Sequence, residues 1–445
     1  MIAAVASPPG RGAISLLRVS GPGALAVAAQ VFRASQPAAA WAPRRVLRVR
    51  AWDGQRELDD GLLTFFRAPK SYTGEELVEF TGHGGELVTE RVLEALFRAG
   101  ARPAAPGEFT ERAFLNGKLD LTQAEGIMDL IGAQTDLALR AAAAQKEGRL
   151  SERLLELRGE LLSLLSHIEA YIDFPDEDID PETGQQLRVR LERLEARVGG
   201  LLATAEEGRI LREGARVVLC GQPNAGKSSL LNRLLGFERA IVNEAAGTTR
   251  DTVEEVVNFQ GVPVRLIDTA GLRETADPVE QAGVERTREA IAQADLALGI
   301  IDGSAQEAEA ALVEEAIGAA SKALLVLNKV DLGLLGSWEG REAVRLSCET
   351  GEGVEDLARV IAYLLVDREE LRAEGFVAIN LRHRRALEQA ERALSAALAK
   401  LAQGESPEFL ALELREAMEA VGEVVGQLDA EELLGEIFGS FCIGK

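Results

Sequence analysis

The sequence predicts a multidomain protein of α/β and all-α parts: a parallel-sheet α/β module inserted into a discontinuous helical bundle, preceded by an α+β domain. Three observations predict it. Between residues 215 and about 368, short and nearly continuous apolar runs alternate with helix-length segments, as strands buried on both faces of a parallel sheet do. On both sides of that module, leucine and alanine recur every three or four residues, the period of helices packed on other helices. Before residue 118, β-like runs are broken by Gly and Pro turns, as in an α+β domain.

In residues 1–117 the runs Ile14–Val19, Arg45–Val49 and Leu62–Phe66 read as strands, and Leu87–Arg98 as a helix. Residues 118–210 are helical: Leu154, Leu157, Leu161, Leu164, Ile168 and Ile172 form one stripe. After an acidic, proline-containing break at Asp173–Thr183, Leu187, Leu191, Leu194, Val198 and Leu201 form another. Residues 211–370 hold the α/β module, with strands at Val217–Cys220, Val264–Ile267, Leu296–Ile301, Ala323–Leu327 and Ala343–Leu346. Residues 371–445 return to helix, through the stripe Leu387, Ala390, Leu394, Leu398 and Leu401. Ser406-Pro407 then supplies an N-cap and a first-turn proline before Leu410, Leu414, Ala417 and Val421. Helices before and after one module imply a single helical domain interrupted by an insertion.

Composition narrows the function classes. The 445 residues are 47% hydrophobic and 27% charged, with a formal charge of −23. That surplus of acid repels phosphate backbones, which argues against an RNA-coating protein and leaves room for local or partner-supplied contact with RNA. Cys220, Cys348 and Cys442 are far apart and odd in number, which suits a reduced compartment rather than a disulfide framework. The apolar start Met1–Ser7 lacks a basic leader and meets Pro8-Pro9-Gly10 early, unlike a secretory signal. No apolar run approaches the ~18 residues of a membrane span. A cytoplasmic protein with no membrane contact is expected.

Gly221-Gln-Pro-Asn-Ala-Gly-Lys-Ser228 follows a strand and opens a helix, the context a phosphate-binding loop requires. Backbone N–H groups of Asn224, Ala225, Gly226, Lys227, Ser228 and Ser229 can turn toward the phosphates. Lys227 adds a point charge there, and the Ser228 hydroxyl is a Mg²⁺ ligand. Asp268-Thr269-Ala270-Gly271 ends a later strand, where the carboxylate holds Mg²⁺ through water and the glycine N–H senses the γ-phosphate. Between them stands Gly247-Thr248-Thr249, whose Thr249 supplies a hydroxyl to the metal. Asn328-Lys329-Val330-Asp331 ends another strand. There the Asp331 carboxylate accepts from the N1–H and amino group of guanine; adenine lacks that donor pair. Ser347-Cys348-Glu349 follows at a base-contacting position. Four of these elements, in order and each at the carboxyl end of a strand, define a GTP site in a Ras-like parallel-sheet fold.

The position that often carries a water-orienting glutamine is Leu272, which neither donates nor accepts. Glu274 and Glu280 both qualify as replacements by residue type, and both equally suit a solvated acidic loop. Asn224 offers an amide oxygen to a monovalent cation beside the phosphates, or serves as a turn residue after Pro223.

The sequence resembles the TrmE (MnmE) family of tRNA-modification GTPases over nearly its whole length. The resemblance rests on Ser7-Pro-Pro-Gly-Arg-Gly12, Tyr72-Thr-Gly-Glu75, Gly82-His-Gly-Gly85, Pro106-Gly-Glu-Phe109 and Arg112-Ala-Phe-Leu-Asn-Gly-Lys-Leu-Asp-Leu121. It continues in Asp173-Phe-Pro-Asp176, Ala246-Gly-Thr-Thr-Arg-Asp251, Asp268-Thr-Ala-Gly-Leu-Arg273 and Phe441-Cys-Ile-Gly-Lys445. It implies a homodimeric enzyme that acts with the flavoprotein MnmG on tRNA. Together they add a carboxymethylaminomethyl or aminomethyl group to carbon 5 of the wobble uridine, using a 5,10-methylenetetrahydrofolate carbon; 5-formyl-tetrahydrofolate would be an analogue. It further implies an N-terminal folate-binding and dimerisation domain, with folate contacts at Arg18, Glu79, Lys118 and Lys445. K⁺ activation is implied through Asn224, Asn243, Ala245 and Thr248, with Glu244 and Ala246 in the same nucleotide-covering loop. Catalytic roles then fall on Glu280, favoured over Glu274 by position, with Lys227 and Asn224. Ser347-Cys-Glu349 departs from the commoner Ser-Ala-x.

Cys442 reads as buried packing rather than a nucleophile, and His83 as a turn histidine rather than a ligand or base. Arg250 and Arg273 suit phosphate contact or simple acid pairing. The rival function is a regulatory GTPase switch in ribosome assembly, without one-carbon chemistry. Such a switch needs no folate pocket, and this chain carries no basic RNA-binding appendage.

Overall fold

The computed structural model describes residues 1–173, 184–236, 255–268, 288–304, 308–335, 338, 342–367, 376–426, 431–439 and 441–444. They divide into two compact units: Met1–Met128 with Val425–Lys445, and Asp129–Val424. Among the described residues no helix is long and apolar enough to cross a membrane.

The first unit holds strands β1 (Ile2–Val5), β2 (Ile14–Ser20), β3 (Phe32–Arg33), β4 (Val46–Trp52), β5 (Glu57–Phe66), β6 (Leu77–His83) and β7 (Arg102–Pro103). They form one sheet in the order β3-β4-β5-β6-β2-β1-β7. Helices α1 (Ala24–Val31) and α2 (Glu86–Arg98) cover one face, because β2, β4 and β5 alternate buried with more exposed residues. Their shared core includes Leu17, Val19, Val49, Leu63, Phe65, Phe80, Val92 and Leu96. Helix α3 (Glu108–Leu115) follows, then α4 (Leu121–Gly132), whose start lies in this unit.

The tail Val425–Lys445, which the helical periodicity groups with the stretch from 371, clusters with this N-terminal unit. Phe438 and Phe441 are buried against Leu121 and Ala124. Pro106 bridges Ile443 in antiparallel fashion, and the Gly107 N–H donates to the Cys442 carbonyl at 3.4 Å. A Cβ on Gly444 would meet the Val5 carbonyl at 2.2 Å, so glycine is required there. Cys442 itself is exposed, which corrects the expectation of a buried thiol: its neighbours Phe441 and Phe438 do the packing.

In the second unit, helices α5 (Asp136–Lys146), α6 (Arg149–Asp173), α7 (Gly184–Ala203) and α8 (Ala205–Glu213) precede the α/β module. The leucine stripes are their buried faces: Leu154, Leu157, Leu161 and Leu164 on α6, and Leu187, Leu191, Leu194, Val198 and Leu201 on α7. The module holds β8 (Ala215–Gly221), α9 (Lys227–Leu235), β9 (Glu255–Phe259), β10 (Val262–Asp268), β11 (Leu296–Asp302), α10 (Ala308–Ile317), β12 (Ala323–Asn328), β13 (Ala343–Arg345) and α11 (Val354–Leu365). The chain then returns to helix in α12 (Leu381–Gln403) and α13 (Pro407–Val425), with α14 (Glu431–Gly439) in the tail. Helix α12 packs along α7 and α8, and a Cβ on Gly208 of α8 would meet the Ile379 carbonyl at 2.6 Å. The chain thus leaves the helical layer and comes back to it around the insertion.

The inserted sheet runs β13-β12-β11-β8-β10-β9. Five strands are parallel, and β9 pairs antiparallel with β10. Strand β9, absent from the strands expected from sequence, has only a short alternation and is joined to β10 by the tight turn Gln260-Gly261, both at positive φ.

Candidate nucleotide site

The central strand β8 is wholly buried at Val217, Val218 and Leu219, so its carboxyl end is a fixed point from which the loop departs. Gly221 lies so close to β11 that a Cβ would meet the Ile300 carbonyl at 2.2 Å. Asn224, at φ 64, and Gly226, at φ 97, both take left-handed conformations, which turn the loop back on itself. Helix α9 then begins at Lys227, putting its free N–H groups and dipole where a phosphate anion would sit. The Lys227 Nζ donates to the carbonyls of Gly221 at 3.0 Å and Gln222 at 2.9 Å, which arches the side chain over the loop. Ser228 and Ser229 are exposed on the first turn. The Ser228 hydroxyl lies 3.4 Å from Asp268 Oδ2, so two hard oxygen donors from α9 and β10 converge. That donor set fits Mg²⁺, with Ser228 as a ligand. Bound there, the ion would neutralise charge on the β- and γ-phosphate oxygens.

The base side is tied to the phosphate side through Asn328, which is buried. Its Nδ2 donates to the Ala225 carbonyl at 2.9 Å, and its Oδ1 accepts from the Cys348 N–H at 3.0 Å. Lys329, at φ 62, directs its Nζ to Asp302 at 2.6 Å. That lysine, together with two bonds from Ser304, outweighs the burial that would raise the Asp302 carboxyl and holds its pKa below the ordinary value. Asp331 is exposed, as a carboxylate that receives a base must be. The buried Ser347 hydroxyl accepts the N–H groups of Glu349 and Thr350, each at 3.2 Å. Burial pushes the Cys348 thiol up despite nearby Arg233, so it is a packing group at neutral pH.

The structure therefore brings together Asn224, Ala225, Gly226, Lys227, Ser228, Asp268, Asn328, Lys329, Asp331, Ser347, Cys348 and Glu349 at the carboxyl ends of parallel strands. Asn243, Glu244, Ala245, Ala246, Gly247, Thr248, Thr249, Thr269, Ala270, Gly271, Glu280 and Lys445 lie outside the described residues, as do Arg250, Leu272, Arg273 and Glu274. Asp302 and Arg233, which hold site loops, belong to no motif. A cleft of about 840 Å³ lined by Arg209, Arg216, Asp295 and Lys322 opens at the amino ends of the strands, away from this chemistry.

In the N-terminal unit, register places Arg18 of β2 opposite Glu79 of β6. Their side chains pair at 2.8 Å and are each about one-fifth exposed. The Arg18 Nη1 also donates to the Gly444 carbonyl at 3.3 Å, and its guanidinium lies 5.7 Å from the Tyr72 ring centre. Lys118 stands apart from this pair, bonded to the Pro69 carbonyl at 3.1 Å. A carboxylate, a guanidinium and an aromatic face thus meet around Arg18.

A glycine-lined phosphate loop, a serine hydroxyl facing an aspartate and a buried base-loop asparagine on a parallel sheet define a P-loop GTPase. Comparison with known proteins narrows the class. Residues 1–118 match the model described as GTP-binding protein TrmE N-terminus, and residues 121–442 the model described as MnmE helical domain. The chain is 48% identical to the tRNA modification GTPase MnmE of Akkermansia muciniphila, covering 100% of this chain and 98% of that one. It is 43% identical to those of Geobacter metallireducens and Aquifex aeolicus, covering 100% of this chain and 99% of each. The chain belongs to the MnmE (TrmE) family of tRNA-modification GTPases.

Proposed function

We propose that this protein hydrolyses GTP to drive modification of the wobble uridine of certain tRNAs. In this reading it works in the cytoplasm as a homodimer with the flavoprotein MnmG, installing an aminomethyl-type group at carbon 5 from a methylene-tetrahydrofolate carbon. Residues 1–117 form the folate and dimerisation domain, 118–210 and 371–445 the helical domain, and 211–370 the GTPase domain. The observation that carries the GTPase part is the tie from Ala225 through Asn328 to Cys348, which fixes the spacing between a phosphate cradle and a base pocket. Lys227 and Mg²⁺ on Ser228 and Thr249 offset phosphate charge. K⁺ held by Asn224, Asn243, Ala245 and Thr248 adds to it, and Glu280 orients the water.

Folate binding is assigned to Arg18, Glu79, Lys118 and Lys445, supported by the Arg18–Glu79–Gly444 cluster. Calorimetry with 5-formyl-tetrahydrofolate should show binding to the wild type and at least tenfold weaker binding to Arg18→Ala. An absence of binding to the wild type removes the one-carbon role. Hydrolysis compared in K⁺ and Na⁺ at equal ionic strength should be faster in K⁺; equal rates remove the cation role of Asn224.

A further inference from the structure

We propose that Arg233 is a positioning residue for guanine recognition, clamping the base-contacting loop from the same helix that starts at the phosphate-binding lysine. The inference rests on the GTPase reading above and concerns how its base pocket is held.

Helix α9 carries Lys227 at its first position and Arg233 six residues later, about 9 Å along the axis. From there the Arg233 Nε donates to the Cys348 carbonyl at 2.8 Å and its Nη2 to the Glu349 carbonyl at 2.6 Å. One planar fork thus spans two consecutive peptide oxygens, which the single ammonium of a lysine does not match. The guanidinium also lies against the loop's backbone: a Cβ built on Gly351, itself at φ 87, would stand 3.3 Å from Nη1. From the other side the Cys348 N–H is held by Asn328. The peptides at Cys348 are therefore gripped at both ends, by an amide from β12 and a guanidinium from α9.

Position is half of the effect. A cation bonded to a peptide carbonyl polarises that peptide and strengthens its N–H as a donor. The N–H groups so affected are those of Glu349 and Thr350, which share the Ser347 hydroxyl at 3.2 Å and sit on the loop that meets the base. Held there, they fix the loop backbone that must accommodate a 6-oxo purine, so a looser loop discriminates less against a 6-amino purine. Arg233 thereby couples base selection to the helix that reads the phosphates.

The test is steady-state hydrolysis of GTP by the full chain with Arg233→Ala and Arg233→Lys, alongside GDP affinity, ATP competition and thermal midpoint. The expected result for Arg233→Ala is a KM raised about tenfold (1.4 kcal/mol) with kcat within twofold of wild type. Its preference for GTP over ATP should narrow, with the midpoint unchanged. Arg233→Lys should recover only part of the loss, because one ammonium replaces a two-pronged fork. Unchanged KM and nucleotide preference in Arg233→Ala overturn the proposal, and so does a loss that tracks a fall in midpoint. Full recovery by Arg233→Lys overturns it too. A wild type that hydrolyses no GTP instead defeats the underlying GTPase reading, so the two failures are distinct.

Discussion

His83 stands at the end of β6 with its ring in water, yet its Nδ1 lies 2.6 Å from an oxygen of Asp59 whose side chain is only 7% exposed. Gly82 makes the approach possible, since a Cβ there would strike Asp59 Oδ2 at 2.3 Å. The hydrogen bond and charge of Asp59, aided by Asp60, raise the histidine above its ordinary 6.5. A raised histidine contributes stability fully below its unfolded pKa and loses it as pH climbs through the folded value. Proton NMR should therefore find His83 titrating above 6.5 in the wild type and close to 6.5 in Asp59→Asn; identical titrations would refute the pairing. Sequence alone suggests a glycine-flanked turn histidine, whereas His83 ends strand β6 and its acid carries no local signal. Asp59 sits on a different strand, and only the β5–β6 pairing brings the two together. The same limit applies to Asp302 and Lys329: the lysine is inside a motif, its carboxylate is not.

At the scale of elements, the phosphate loop was the most legible part, because its chemistry and its fold are one local pattern. Strand, glycines, lysine and helix stand in consecutive order. Gly226 carries that logic furthest: at φ 97 an added Cβ would meet Asn328 Nδ2 at 2.1 Å. Gly226→Ala should hence break the Asn328–Ala225 bond and add backbone strain of about 1–3 kcal/mol. GDP affinity measured by fluorescence titration should fall tenfold or more while circular dichroism is unchanged. Wild-type affinity in that variant would show that the loop tolerates the side chain. Strand β9 escaped the reading for the opposite reason. An edge strand paired antiparallel need not be apolar on both sides, so its five residues lack the signature that marked β8, β11 and β12.

The helical layer was legible as an interrupted whole, since stripes before and after the module share one period and Leu394 of α12 is buried as Leu191 of α7 is. Long-range docking of the tail carries no such signal: two phenylalanines and a short bridge fix it. Phe441 is 5% exposed and meets Phe438 edge-on at 5.3 Å. Phe441→Ala should destabilise the N-terminal unit by about 3–5 kcal/mol, read by urea unfolding. It should also release the Gly444 carbonyl from Arg18. Undiminished stability would mean that the tail rests on that unit without supporting it.

That docking sets an order of events during synthesis. The first 128 residues leave the ribosome early, but the aromatic pair that closes their core belongs to the stretch beyond Val425. At about 5–20 residues per second, the intervening chain takes on the order of tens of seconds to emerge. Through that interval Leu121 and Ala124 wait uncovered, and the GTPase module can finish folding before the unit that was begun ahead of it.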